Sequence, residues 1–409
     1  MSMFKKRKVF FLASFFCFIQ IFTLNSFAFA EVSYNSIQSE NIQTNFLFIK
    51  KDIYKISDQP VVIAASGKTV WASARNSAEI QEFSLSSDSL INTRNITLPV
   101  KENSRTIILD LEALTDSKLL VSVASYFDDP TLCSTANVYL ISDNLSTIQK
   151  VFTSKPCIGG VSAWTEIAGR ISVDAPKNIF YLSGGNVETN LYGNFFPRDG
   201  LCCLVGTFEE EMKRTNLFGS IVKVDLNSLK SNKSSVGHRA PQGLFYDRER
   251  NILFETEHGP RGGDELNIIK NGKDYGWPFV TFGRFYLDEQ STIPSGYNKK
   301  RLTNTHDGYE PPIFSWTPSI GVSNLISISK KSVFSKYWSQ DLIVSTLKDN
   351  SLHRLKLNKN NSILYDERIE IGLRIRDIAA VDEGIILSTD FGHIIVISPT
   401  SIKVGGQFP

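Results

Sequence analysis

The chain has 409 residues, of which 42% are hydrophobic and 21% charged, a balance that excludes a disordered or fibrous protein. Its formal charge of +2 becomes −2 once the first thirty residues are set aside, because they hold four basic and no acidic residues. Nothing in that balance draws in nucleic acid or an anionic lipid surface.

Residues 1–30 read as a secretory signal, with Lys5, Lys6, Arg7 and Lys8 followed by an apolar run from Val9 to Leu24 and by Ala28-Phe29-Ala30 before Glu31. A retained membrane anchor is the competing reading. The small-x-small ending, and the absence of any later apolar stretch of about 18 residues, favour cleavage. The mature chain is therefore expected to run from Glu31, exported to the periplasm or the medium and without a membrane span. Four cysteines remain in it, Cys133, Cys157, Cys202 and Cys203. An even count in an oxidising compartment permits disulfides. Cys133 and Cys157 flank a hairpin-like stretch and are one candidate bridge. The adjacent pair Cys202-Cys203 matches no zinc spacing and stays unassigned.

Residues 31–409 show almost no helical periodicity and read as one all-β domain. Short apolar runs recur between turn residues: NFLFIK from Asn45, TVWASA from Thr69, KLLVSVAS from Lys118, NVYLIS from Asn137, NIFYLSGG from Asn178, SIVKVDL from Ser220, NILFETEHG from Asn251, DLIVSTLK from Asp341 and GIILSTD from Gly384. Strands apolar on both faces, recurring without helices, suit the inner strands of propeller blades, since each blade packs against two neighbours. A β-sandwich explains the strands locally as well. This length would need two sandwiches, and no Pro/Gly/Ser-rich linker separates them.

The densest special sequence spans residues 237–278, GHRAPQGLFYDRERNILFETEHGPRGGDELNIIKNGKDYGWP. It resembles the glucose/sorbosone dehydrogenase family, six-bladed β-propellers that use pyrroloquinoline quinone (PQQ) and calcium to oxidise aldoses. Weaker likeness continues through FGRFY, WTPSIGVSNL, STLKDNSLHRLKL and GLRIRDI, and covers residues 160 to 400 well. The stretch from Glu31 to Lys150 fits mainly as the blades the ring requires.

Read physically, Glu257-His258-Gly259-Pro260 and then Arg261-Gly262-Gly263 leave a strand for a loop whose two adjacent glycines allow close backbone approach to a ligand. The resemblance implies that the carbonyls of Gly259 and Pro260 hold the calcium that bridges to the quinone, oxygen ligands being what calcium takes. It places a second, structural calcium on Glu265 and on the backbone of Tyr275. Tyr286, Lys348, Arg374 and Arg376 stand where the family contacts its cofactor, a planar tricarboxylate that calls for forked cationic donors, and Arg239 joins them. In RIRD, strand alternation directs Arg374 and Arg376 to one face, and Lys348 follows the inner-strand run IVSTL.

The resemblance breaks at the chemistry. The family's catalytic histidine position is occupied by Glu166, four residues before Arg170. The asparagine expected in GHRNPQG is Ala240, and an early glutamine is lost near Arg105. Either Glu166 or His258 is then the candidate base for the sugar hydroxyl proton; His306, His353 and His393 read as structural or surface residues. Two functions follow. One is a PQQ- and calcium-dependent dehydrogenase acting on an aldose and passing electrons to an acceptor; the other is a non-catalytic propeller that binds carbohydrate or protein.

Overall fold

Short turns fold each apolar run back on its neighbour, so consecutive strands pair antiparallel. The computed structural model describes residues 32–86, 89–99, 104–127, 133–142, 144–155, 158–159, 168–185, 216–284 and 302–400. The expected signal at 1–30 lies outside these, as do Cys157, Cys202 and Cys203.

Six sheets of four or five strands result. From the inside outward, the first carries Val61–Ser66, Thr69–Ala74, Glu79–Leu85 and Ser89–Thr97, with Val32–Asn35 at its edge. The second carries Ser104–Thr115, Lys118–Phe127, Cys133–Ser142 and Thr147–Thr153. The third carries Ala168–Asp174, Ile179–Gly184, Ser220–Asp225 and Ser231–Val236, and adds the parallel pair Lys273–Asp274. The fourth is Pro241–Asp247, Ile252–Glu257, Asp264–Ile268 and Phe314–Trp316. The fifth is Val322–Ser327, Leu342–Thr346, Ser351–Leu357 and Ile363–Glu370. The sixth begins with Ile375–Val381, Gly384–Thr389 and His393–Pro399. It is completed by Phe48–Lys55 from the other end of the chain, in register Ile53↔Ile395 and Lys55↔His393, with Gln38–Gln43 outside that.

The innermost strand of each sheet packs on those of the sheets before and after, and the sixth returns to the first. The molecule is a closed six-bladed β-propeller, as the resemblance implies. The apolar runs singled out above, however, do not line the axis. Thr69–Ala74, Lys118–Phe127, Ile179–Gly184, Ile252–Glu257, Leu342–Thr346 and Gly384–Thr389 are the second strands of the six blades. A second strand has a strand on each side and a blade on each face, so it reads as continuously apolar. The innermost strands turn polar side chains to the axis. There Arg170 bonds Asp110 at 2.8 Å and Asp377 at 3.1 Å, and donates to the carbonyls of Gln242 and Arg376 at 2.7 and 2.8 Å. Four blades are thereby tied to one guanidinium.

Candidate active site

Because every innermost strand runs in the same sense, all six second strands end at one face of the ring. Arg75 follows the second strand of the first blade, His258 that of the fourth, Lys348 that of the fifth and Asp390 that of the sixth. Arg374 enters the sixth blade at the same face. The ring thus gathers side chains that are hundreds of residues apart.

Asp390 organises the cations. Its carboxylate accepts from Arg374 Nε at 2.9 Å and from Arg376 Nε at 2.7 Å, so the two arginines do share a face. Arg374 also donates to the carbonyl of Leu347 at 3.3 Å, bringing the sixth blade against Lys348. Lys348 is exposed and donates to the carbonyl of Ser319 at 3.1 Å. Arg75 lies close enough for its charge to be felt by Arg376 and Arg170, and burial with that repulsion pulls its guanidinium down to about 10. Its buried Nε has no hydrogen-bond partner among the described residues. Arg376 is likewise pulled down by burial, against the support of Asp390. Sequence reading missed Arg75 and Asp390. Their signal was positional, since each closes a second strand as His258 does.

Arg239 is buried, stacks 5.2 Å from the Trp277 ring, and points Nη1 at the carbonyls of His258 and Gly259, at 3.2 and 3.4 Å. Its Nε is also buried without a partner among the described residues. His258 donates from Nε2 to the carbonyl of Val322 at 2.7 Å, which assigns the proton to that nitrogen and leaves Nδ1 as the acceptor. Burial, and then Arg239 and Arg376, push its pKa below 6.5, so the ring is neutral at pH 7.

The Gly259–Gly263 loop is held differently from the expectation. A Cβ on Gly263 would collide with the backbone of Gly283, and one on Gly259 with the carbonyls of Gly262 and Gly263. The glycines therefore admit neighbouring backbone. Gly262 and Gly263 also adopt φ of +87° and +69°, which side chains resist. Asp264 clips the loop in place, accepting from the backbone N–H of Gly259 at 3.3 Å, Gly321 at 2.7 Å and Val322 at 3.2 Å.

Glu265 accepts from His306 Nε2 at 3.0 Å and from Asn267 Nδ2 at 3.4 Å. It lines a cavity of about 10 Å³ with Glu257, Tyr275 and His306, room for one water-sized occupant. His306 is thus buried beside this carboxylate, whereas His353 is held by Asp366 and Asp349 in the fifth blade. Glu166 and Tyr286 fall outside the described residues, as does the side chain of Arg105. Ala240 is buried, and its amide points to Glu257.

Residues 140–395 match the family model for glucose/sorbosone dehydrogenase. The chain belongs to the glucose/sorbosone dehydrogenase family. An uncharacterized protein of Synechocystis is 37% identical over 150 residues, 37% of this chain and 34% of that protein, so the match spans about a third of that relative's length. Aldose sugar dehydrogenase YliI of Escherichia coli K12 is 26% identical over 72% of this chain and 76% of its own. Quinoprotein glucose dehydrogenase B of Acinetobacter calcoaceticus is 26% identical over 54% of this chain and 57% of its own. In three dimensions the fold matches the soluble aldose sugar dehydrogenase of E. coli in its apo form, with TM-score 0.64 at 23% identity over 86% of this chain and 100% of that one. It also matches the PQQ-bound aldose sugar dehydrogenase of Streptomyces coelicolor, with TM-score 0.55 at 18% identity over 88% of this chain and 98% of that one.

Proposed function

We propose that this member of the glucose/sorbosone dehydrogenase family is an exported oxidoreductase that oxidises an aldose, using PQQ and calcium. The observation that carries the reading is the crowding of Arg75, Lys348, Arg374 and Arg376 at one mouth of the ring, with Asp390 bonded to Arg374 and Arg376. Such an excess of forked and flexible cations suits a planar tricarboxylate. Among the described residues the buried Nε atoms of Arg75 and Arg239 have no hydrogen-bond partner.

Lys348, Arg374 and Arg376 would hold the cofactor's carboxylates, with Tyr286 beside them and Arg239 orienting it from the fourth blade. For calcium, the carbonyls of Gly259 and Pro260 are donors of the right kind. Arg239 lies within hydrogen-bond reach of the first of these and would give it up or share it. The small cavity bounded by Glu265 and Tyr275 fits a second cation. When bound, PQQ accepts the hydride leaving the sugar's C1.

The chain's own part is to remove the C1 hydroxyl proton. His258 Nδ1 is a neutral acceptor at pH 7, and its orientation is fixed through Nε2 by the carbonyl of Val322. Glu166, at the family's histidine position, is the other candidate base. A positioned base contributes about 10²- to 10⁴-fold to such a step. The competing reading, a propeller that binds carbohydrate or protein without turnover, is favoured by that same replacement at Glu166. Titration of the mature protein with PQQ, with and without calcium, followed by dye reduction on a panel of aldoses, separates the two. Saturable calcium-dependent binding with turnover supports the dehydrogenase; absence of binding at micromolar PQQ sinks it. Loss of turnover in Glu166→Gln with retention in His258→Gln would assign the base to Glu166, and the reverse pattern to His258.

A further inference from the structure

The interface between the third and fourth blades differs from the other five. Among the described residues its apolar cluster holds four buried members, Ile221, Leu244, Tyr246 and Leu253, where the others hold between eight and seventeen. The cause lies in one strand. Along Ile252–Glu257 alternate side chains face opposite blades. Phe254 joins the apolar cluster toward the fifth blade and Leu253 the one toward the third, so Glu255 and Glu257 also face the third. The adjoining strand sets Asn267 opposite Glu255 and Glu265 opposite Glu257, and His238 closes over them, stacked on Tyr275 with centroids 4.7 Å apart.

Three buried carboxylates are thus brought together, and among the described residues no lysine or arginine side chain is bonded to any of them. Asn267 Nδ2, with two hydrogens, lies 3.0 Å from Glu255, 3.2 Å from Glu257 and 3.4 Å from Glu265, so one acceptor goes without. Glu255 Oε1 and Asn267 Oδ1 are fully buried and, among the described residues, have no hydrogen-bond partner. Uncompensated negative charge is strongly disfavoured in such a place. His238 brings a nitrogen to it. Its Nε2 is 2.8 Å from Ser235 Oγ, which fixes the ring, and its Nδ1 is 3.3 Å from Glu257 Oε1. One ligand atom from each of His238, Glu255 and Glu257 lies within 4.8 Å of the others, the spread expected of three ligands each about 2.0–2.4 Å from one ion.

We propose that His238, Glu255 and Glu257 bind a divalent transition-metal ion of the zinc or manganese type inside the interface between the third and fourth blades. The imidazole nitrogen separates this site from calcium, which takes oxygen ligands. The cavity bounded by Glu265 and Tyr275 adjoins this site and shares Glu257, but neither Glu255 nor His238 lines that cavity. Ser235 acts as the outer partner that orients the ligating ring. The ion would supply the interface with the cohesion that its short apolar cluster lacks.

The full chain, stripped with a chelator, re-equilibrated with zinc and calcium and desalted, is expected to retain one zinc equivalent by elemental analysis. Glu255→Gln is expected to lose that equivalent, and Glu265→Gln to keep it. X-ray absorption at the zinc edge needs no variant and is expected to show nitrogen and oxygen neighbours at about 2.0–2.1 Å with imidazole scattering and no sulfur. A chain that retains no zinc overturns the proposal and assigns a proton to Glu255. Retention unchanged in Glu255→Gln, or sulfur in the first shell, overturns it by placing the metal elsewhere.

Discussion

Arg170 serves two buried acids at once, Asp110 and Asp377, and neither has another cationic side chain bonded to it among the described residues. Burial, and then the charge of Asp377, pushes Asp110 up to about 7 even against Arg170. A carboxyl raised in the folded state contributes stability that is complete below its ordinary 3.8 and is lost as pH rises through about 7. Urea unfolding is therefore expected to show stability falling between about pH 4 and 7, with Asp110→Asn flattening that slope. Arg170→Met strands both acids and is expected to cost about 3–5 kcal/mol at pH 8, and less at pH 5 where Asp110 is protonated. In the proposed cofactor pocket, Arg376→Met removes a charged donor and is expected to weaken PQQ binding by roughly 10- to 100-fold, read by isothermal titration. That Arg374 and Arg376 share a face was legible because RIRD alternates. Arg75 was not, since a lone arginine after a strand carries no local sign of what it faces.

At the scale of elements, position in the blade decides composition. Second strands are covered on four sides and announced themselves as apolar runs; innermost strands such as Ile375–Val381 carry Asp377 toward the axis and read as ordinary half-polar segments. The closing strand Phe48–Lys55 is the exception, being fourth in its blade yet buried by Gln38–Gln43 outside it. Ile53 pairs with Ile395 on one side and Gln38 on the other. Ile53→Pro breaks the ladder and is expected to destabilise the protein by about 3 kcal/mol or more, measured by thermal or urea unfolding. The same substitution at Asn95, in the outer strand of the first blade, exposed and without this closing role, is expected to cost less.

Across the whole molecule, each blade has two neighbours and none is an end, so losing one blade opens two interfaces. Unfolding is expected to be one cooperative transition. Far-ultraviolet circular dichroism and tryptophan fluorescence, which reports Trp71 in the first blade and Trp338 in the fifth, should give coincident midpoints. Addition of PQQ with calcium at a hundredfold excess over Kd is expected to raise the stability of the whole ring by about 2.7 kcal/mol, seen as a shift of Tm. Propeller architecture was legible in the sequence because short apolar strands recur without helices, and the motif EHGPRGGDELN made its family legible as well. These are local properties, set by side-chain period and by glycines that alone tolerate their backbone angles. What only the tertiary structure decided is which residues meet: Asp390 with Arg374 and Arg376, Arg170 with two acids across the axis, and Glu255 with His238. Those contacts join residues on separate strands, those of Arg170 and of Glu255 with His238 on separate blades, and such partners leave no periodic trace along the chain.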